Sequence, residues 1–218
     1  MVNTGFSEIT QDRLKYFGND IWYLEVAITG KCNFNCNYCN RFSANLDLKS
    51  FYKVLKSNNK IHHIQVTGGE PTTHPAFFDI MNCCKEHCLT LGLSTNGSAH
   101  IHTYMRSQAD RYSISFDDYL MDELIKRGYK NPINILLNII QLIREGYYVD
   151  IGLVIDERNV DRIEEIIKYL LGLGVNDIKL STSTKSGIIP KIVGDYSRHP
   201  ILNYRVERIK QGLDNRGI

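Results

Sequence analysis

Long apolar runs are missing from this sequence. The longest, residues 133–143, is broken by Asn134, Asn138 and Gln141, whereas a membrane-crossing helix needs about 20 consecutive apolar residues. The stretch from Met1 to Asp20 is polar and has no apolar core of the kind a secretion signal carries. Charge of one sign is also scarce. A net +2 is too small to argue for nucleic acid from the chain as a whole. No second C-x2-C pair and no H-x3-H pair exists to complete a two-knuckle zinc site. The six cysteines come without a secretion signal, so free thiols in a reducing compartment are expected rather than a disulfide framework. The expectation is a soluble, cytoplasmic protein with no membrane partner. Its 218 residues, 43% hydrophobic and 23% charged, suit a single domain.

Apolar, β-branched runs recur at residues 22–29, 63–67, 89–95, 111–116, 148–155 and 177–181. Helical patterns lie between them at 51–56, 74–87, 101–108, 132–145 and 160–173, the last two closed by Gly146 and Gly174. Strand and helix alternating six times predict parallel strands joined by right-handed crossovers. A closed eight-stranded barrel usually needs about 250 residues. The expected fold is therefore α/β, a partial (β/α)6 TIM-like barrel over about residues 20–182. A short N-terminal helix (8–17) precedes it, and a C-terminal helical extension (183–218, helix 201–211) follows.

Three cysteines carry most of the chemistry. Cys32, Cys36 and Cys39 form a C-x3-C-x2-C array with Tyr38 just before the last thiol. Three thiolates suit soft or borderline metals. On a four-iron cluster they would leave one iron open to an outside ligand. A zinc site of three Cys and one His uses similar spacing. A redox pair at Cys36 and Cys39 would leave Cys32 unexplained.

Other candidates fall at strand ends, where parallel α/β folds bind ligands. Gly68-Gly69-Glu70-Pro71 permits close backbone approach and offers a carboxylate for an ammonium group. It also reads as a strand-to-helix turn with Thr72 or Thr73 as a cap. Ser94-Thr95-Asn96-Gly97 is a turn with Gly97 at positive φ. Ser115 and Asp117 offer the hydroxyl and carboxylate that a ribose diol needs, or Asp117 or Asp118 caps a helix. Gly152, inside a strand, allows close backbone approach. Cys83, Cys84 and Cys88 read as small buried hydrophobes rather than a second metal site. Residues 185–218 hold seven Lys or Arg against three acids. Arg205 and Arg208 share a helical face there, either solvated or turned to an anionic substrate.

Over residues 25–181 the cysteine loop and the GGEP turn together resemble the radical S-adenosylmethionine (SAM) superfamily. The resemblance implies one [4Fe-4S] cluster on Cys32, Cys36 and Cys39, with SAM chelating the open iron. It implies that Gly68, Gly69, Glu70 and Pro71 hold the amino group of SAM, with Ser94 and Asn96 nearby. Tyr38 and Val154 would pack near the adenine; Ser115 and Asp117 would meet the ribose and the methionyl carboxylate. A reductant such as flavodoxin or ferredoxin would supply an electron, and a 5′-deoxyadenosyl radical would abstract hydrogen from a substrate. That substrate is expected to be a small molecule, nucleotide or nucleobase. A peptide maturase, a glycyl-radical activase and a zinc-binding scaffold without turnover are the alternatives. No cysteine follows Cys88, so a single cluster is expected.

Overall fold

Alternation along each apolar run decides the architecture. The computed structural model describes residues 21–39, 45–57, 61–156 and 158–182. Among them is one sheet of six parallel strands in sequential order. These are β1 (Ile21–Ala27), β2 (Ile61–Thr67), β3 (Cys88–Thr95), β4 (Arg111–Ser115), β5 (Tyr148–Ile155) and β6 (Asp177–Thr182). The sheet curls into a half-barrel, as expected. The helices expected at 8–17 and 201–211, with Arg205 and Arg208, lie outside the described residues.

Helices α1 (Leu48–Lys56), α2 (Phe77–His87), α3 (Ile101–Arg106), α4 (Met121–Lys126), α5 (Pro132–Arg144) and α6 (Ile163–Leu173) connect the strands. Capping explains one departure from expectation. Helix α1 starts three residues before the expected Phe51, because the Asp47 carboxylate accepts from the Ser50 N–H at 3.2 Å. Helix α2 starts at Phe77 rather than His74, since Pro71–Thr73 forms a separate 3-10 turn. Helix α4 was not foreseen; it is a short, charged segment between two expected elements. Helix α5 opens on Asn131 with Pro132 in its first turn and gives way to Gly146 at φ +83°.

One residue in two on each strand packs under the helices. Val26, Ile64, Leu91, Tyr112, Ile151 and Leu153 are buried with Ile80, Met81, Ile135 and Ile166 in one core. Each such side chain contributes roughly 1.5–3 kcal/mol of burial. The alternate residues are polar and touch one another across strands. His63 reaches Thr90 and Gln65, Gln65 reaches Ser94, and Arg111 reaches Asp150. Closed barrels fill their interior with apolar layers; this half-barrel has a polar inner face.

Asn138, one of the breaks in the longest apolar run, is buried on α5. Its amide donates to the carbonyls of Gly97 (2.9 Å) and Ala99 (2.8 Å), tying α5 to the turn after β3. Asn138→Ala strands both acceptors and should cost about 1–3 kcal/mol. The check is a urea titration, with a lower midpoint at unchanged slope; an unmoved midpoint would contradict the role.

Candidate metal centre

Strand β1 delivers the chain straight into the cysteine loop. Past Ala27 the backbone keeps one more sheet bond, from Ile28 N–H to the Thr67 carbonyl at 2.9 Å. Thr29 then leaves the sheet to bridge Asn45. Cys32, Cys36 and Cys39 are all half-buried free thiols. The Cys32 sulfur accepts from the Phe34 N–H at 3.4 Å and from the Asn96 amide at 3.7 Å. Asn96 also donates to Asn33 at 2.8 Å, which fastens the start of the loop to the turn after β3. The far side is fastened to the end of α4: Asn37 donates its N–H to the Arg127 carbonyl and its amide to the Lys126 carbonyl. Asn33 and Asn37 thus bond protein groups rather than sulfur. Burial, followed by the nearby Asp117 charge, pushes the Cys36 thiol up to about 11, so metal binding there must release a proton.

The GGEP turn runs against this loop. Gly69 N–H donates to the Thr29 carbonyl (2.6 Å) and Glu70 N–H to the Lys31 carbonyl (2.7 Å). A Cβ on Gly68 would overlap the Thr29 oxygen, and one on Gly69 the Lys31 oxygen. The glycines therefore allow the exits of β1 and β2 to pack backbone on backbone. The Glu70 carboxylate has no solvent contact. One oxygen accepts from the Thr72 N–H (3.2 Å) and hydroxyl (2.6 Å); the other accepts from the Asn96 N–H at 2.7 Å. The Thr95 hydroxyl lies between the two. Burial lifts the Glu70 carboxyl above the usual carboxylate range, and these donors oppose the lift. Glu70 itself caps the 3-10 turn through Thr72. Ser94 accepts from Gln65 at 2.8 Å, and Gly97 has φ +74° as the turn requires.

Asp117, expected at the ribose or methionyl carboxylate, is fully buried with both oxygens taken by protein donors. Oδ1 accepts from the Val154 N–H at 2.8 Å. Oδ2 accepts from the hydroxyls of Tyr38 (2.5 Å) and Tyr129 (2.9 Å) and from Arg127 Nε (3.3 Å). Tyr38, between the second and third cysteines, is thereby anchored, and Arg127 stacks over its ring at 5.3 Å. Arg127 has no solvent exposure; it also bonds Asp156 at 2.7 Å and the Val154 carbonyl at 2.9 Å. Gly128 next to it has φ +100°, and a Cβ there would meet the Asn35 carbonyl. Arg127, Tyr129 and Asp156 escaped the sequence reading. Their one signal is the Arg-Gly pair ending α4. Ser115 is half-buried at the end of β4, in register with Gly152.

The second group of thiols does not form a cluster. Cys84 is buried in the core, Cys83 lies 4.0 Å from the His87 ring, and Cys88 opens β3. Burial raises all three thiols, Cys88 to about 11. Among the described residues no three His, Cys, Asp or Glu side chains converge closely enough to hold one metal ion.

The family model of the Radical SAM superfamily matches residues 26–170. The chain belongs to that superfamily, whose members use a [4Fe-4S] cluster and SAM. A tungsten-containing aldehyde ferredoxin oxidoreductase cofactor-modifying protein of Pyrococcus furiosus is 26% identical over 73% of this chain and 51% of its own. A GTP 3′,8-cyclase of Synechocystis is 26% identical over 70% of this chain and 51% of its own. The chain spans about half the length of these curated relatives. Streptococcus suis SuiB bound to SAM shares the fold with TM-score 0.71 at 16% identity, over 99% of this chain and 55% of that one. Three thiols on one loop are the donor type that an iron–sulfur cluster takes. A cubane takes each thiolate on a different iron, so its ligands need not converge on one point.

Arg127→Met tests the anchoring network. Burial raises the Asp117 carboxyl, and the Arg127 charge is the main force holding it down. Without Arg127 it rises further. A raised carboxyl stabilises the fold below its unfolded pKa, and this is lost as pH climbs through the folded value. The variant should be about 3–5 kcal/mol less stable at about pH 8, with a smaller deficit at about pH 5. Urea titrations at both pH values check this; an equal deficit at both would contradict it.

Proposed function

We propose that this radical SAM chain holds a [4Fe-4S] cluster on Cys32, Cys36 and Cys39 and abstracts hydrogen from a small polar substrate lying on the inner face of the half-barrel. The observation that carries the reading is the fastening of the three-cysteine loop at two places. Asn96 holds it through Cys32 and Asn33, and Asp117 and Arg127 hold it through Tyr38 and Asn37. A bound cluster of this class supplies one electron to SAM, and reductive cleavage gives methionine and a 5′-deoxyadenosyl radical.

The chain's own share is binding, orientation and exclusion of solvent. Gly68 and Gly69 keep the GGEP backbone pressed to the loop, and Pro71 is buried at the start of the 3-10 turn. Glu70 is fully buried with protein donors on both oxygens, so it orients the turn, and the GGEP turn as a whole is proposed to hold the amino group of SAM. Of the other residues proposed at SAM, Ser94 and Ser115 offer hydroxyls and Val154 its side chain, whereas Asn96, bonded to Cys32 and Asn33, acts through the loop. Tyr38 and Asp117 act on the cofactor through the loop they hold. Cys36 must lose its proton on metal binding, so loading is favoured by higher pH.

A small polar substrate, with nucleotides and nucleobases included, suits the polar inner face. The Synechocystis relative named for GTP agrees with this class. Flavodoxin or ferredoxin is the proposed electron donor. Free thiols throughout the described chain suit the cytoplasm.

Anaerobic reconstitution tests the proposal. The wild type should bind about four irons per chain and release 5′-deoxyadenosine from SAM. Cys36→Ala should lose both properties, while Cys84→Ala should keep both. Cleavage retained by Cys36→Ala, or about one zinc per chain with no cleavage, would overturn it.

A further inference from the structure

We infer that Arg111, Ser113, Asp150 and Lys179 form an anchoring site for the anionic end, phosphate or carboxylate, of a small substrate. The inference rests on the reading of the inner face as the substrate cleft and adds the chemistry of one end of that substrate.

Arg111 and Lys179 are the two Lys or Arg residues in the six strands, and both lie on one carboxylate. Asp150 has a side chain with no exposure. It is bonded by Arg111 Nη2 at 2.7 Å, by Lys179 Nζ at 2.9 Å and by a short contact from the Ser113 hydroxyl. A buried carboxylate needs compensation, and one bonded guanidinium supplies it. The second cation leaves the group one positive charge in excess. The arrangement also turns that charge outward. Lys179 is 53% exposed and Arg111 31%, with the carboxylate hidden behind them. Asp177, in register with Asp150, bonds the Ile178 N–H at 2.8 Å and makes no ion pair with Arg111 or Lys179, so both cations stay on Asp150.

Two further observations point to a ligand. Arg111 Nε is buried and has no hydrogen-bond partner among the described residues, although a buried donor is costly to leave unmet. Above Asp150, toward the cysteine loop, Gly152 faces open space, with nothing within 4 Å of where a Cβ would stand. Ser115 and Lys179 flank it in register on the neighbouring strands. An anion held by Lys179, whose ammonium the Ser113 oxygen positions at 3.2 Å, therefore has room to extend over Gly152 toward the rim that carries the thiols. Among the described residues the other half of the inner face has no Lys or Arg. Strands β1 and β2 contribute Tyr23, Glu25, His63 and Gln65, and burial holds His63 below the usual histidine range, favouring its neutral form. Among the described residues the anionic end thus has one place to sit, and a neutral, hydrogen-bonding portion would face β1–β3.

The test uses the full chain, anaerobically reconstituted, and titration calorimetry with sodium tripolyphosphate and with sodium citrate. Wild-type protein should bind at least one of them, more weakly as salt rises; the stronger probe tells phosphate from carboxylate. Lys179→Gln should weaken binding by about tenfold or more, and Lys179→Arg should stay within about threefold. Arg111→Gln should weaken it comparably. Lys179 is half exposed, so its variants should melt with the wild type, and that melt separates lost binding from lost fold. No binding of either anion to the wild type, or wild-type affinity in Lys179→Gln, would overturn the inference. A chain that loads iron and cleaves SAM but binds neither anion defeats this inference alone. A chain that binds an anion but loads no iron defeats the proposed function and leaves the anion site standing.

Discussion

Two carboxylates without solvent contact, Glu70 and Asp117, set the geometry of the rim. Burial makes an unpaired carboxylate expensive, so each must collect donors, and the donors come from other strand exits. Glu70 takes them from the turn after β3, and the backbone on either side of it packs on the chain entering the cysteine loop. Asp117 takes them from β5, from the residues that close α4, and from Tyr38 inside the loop. The loop is clasped from both sides by groups that cannot relax outward without exposing a charge to an apolar interior. That is a physical route to holding three thiols in place without a disulfide or a second metal.

Backbone approach matters as much as charge. Gly68, Gly69 and Gly128 each sit where a methyl group would strike a backbone oxygen of Thr29, Lys31 or Asn35. All three contacts fall on the loop or the residues that lead into it. A side chain at any of them would push the loop away from the strand exits and undo the hydrogen bonds to both carboxylates.

Much of this was legible in the sequence. Strand β5 is found at the expected residues, and the three cysteines and GGEP fall at the carboxyl ends of β1 and β2 because β-branched runs and glycine turns mark those ends plainly. Helix α4 was not legible, since a charged six-residue helix carries too little periodicity to stand out. Nor was Arg127, because composition places arginine outside and only its partners explain a fully buried one. The polar inner face was written in the alternation of His63-Ile64-Gln65-Val66 and Arg111-Tyr112-Ser113-Ile114. It is easily overlooked, because parallel strands are ordinarily apolar on both faces.

Along the described strands the half-barrel thus carries a rim whose buried carboxylates hold the three-cysteine loop, and below it a polar face whose Arg and Lys lie on β4 and β6. The most direct measurement of the central claim is low-temperature electron paramagnetic resonance of the anaerobically reduced protein, with and without SAM. Three protein thiolates and one open iron predict a four-iron cluster signal whose shape changes when SAM is added. A signal indifferent to SAM, or none from iron-loaded protein, would contradict the account.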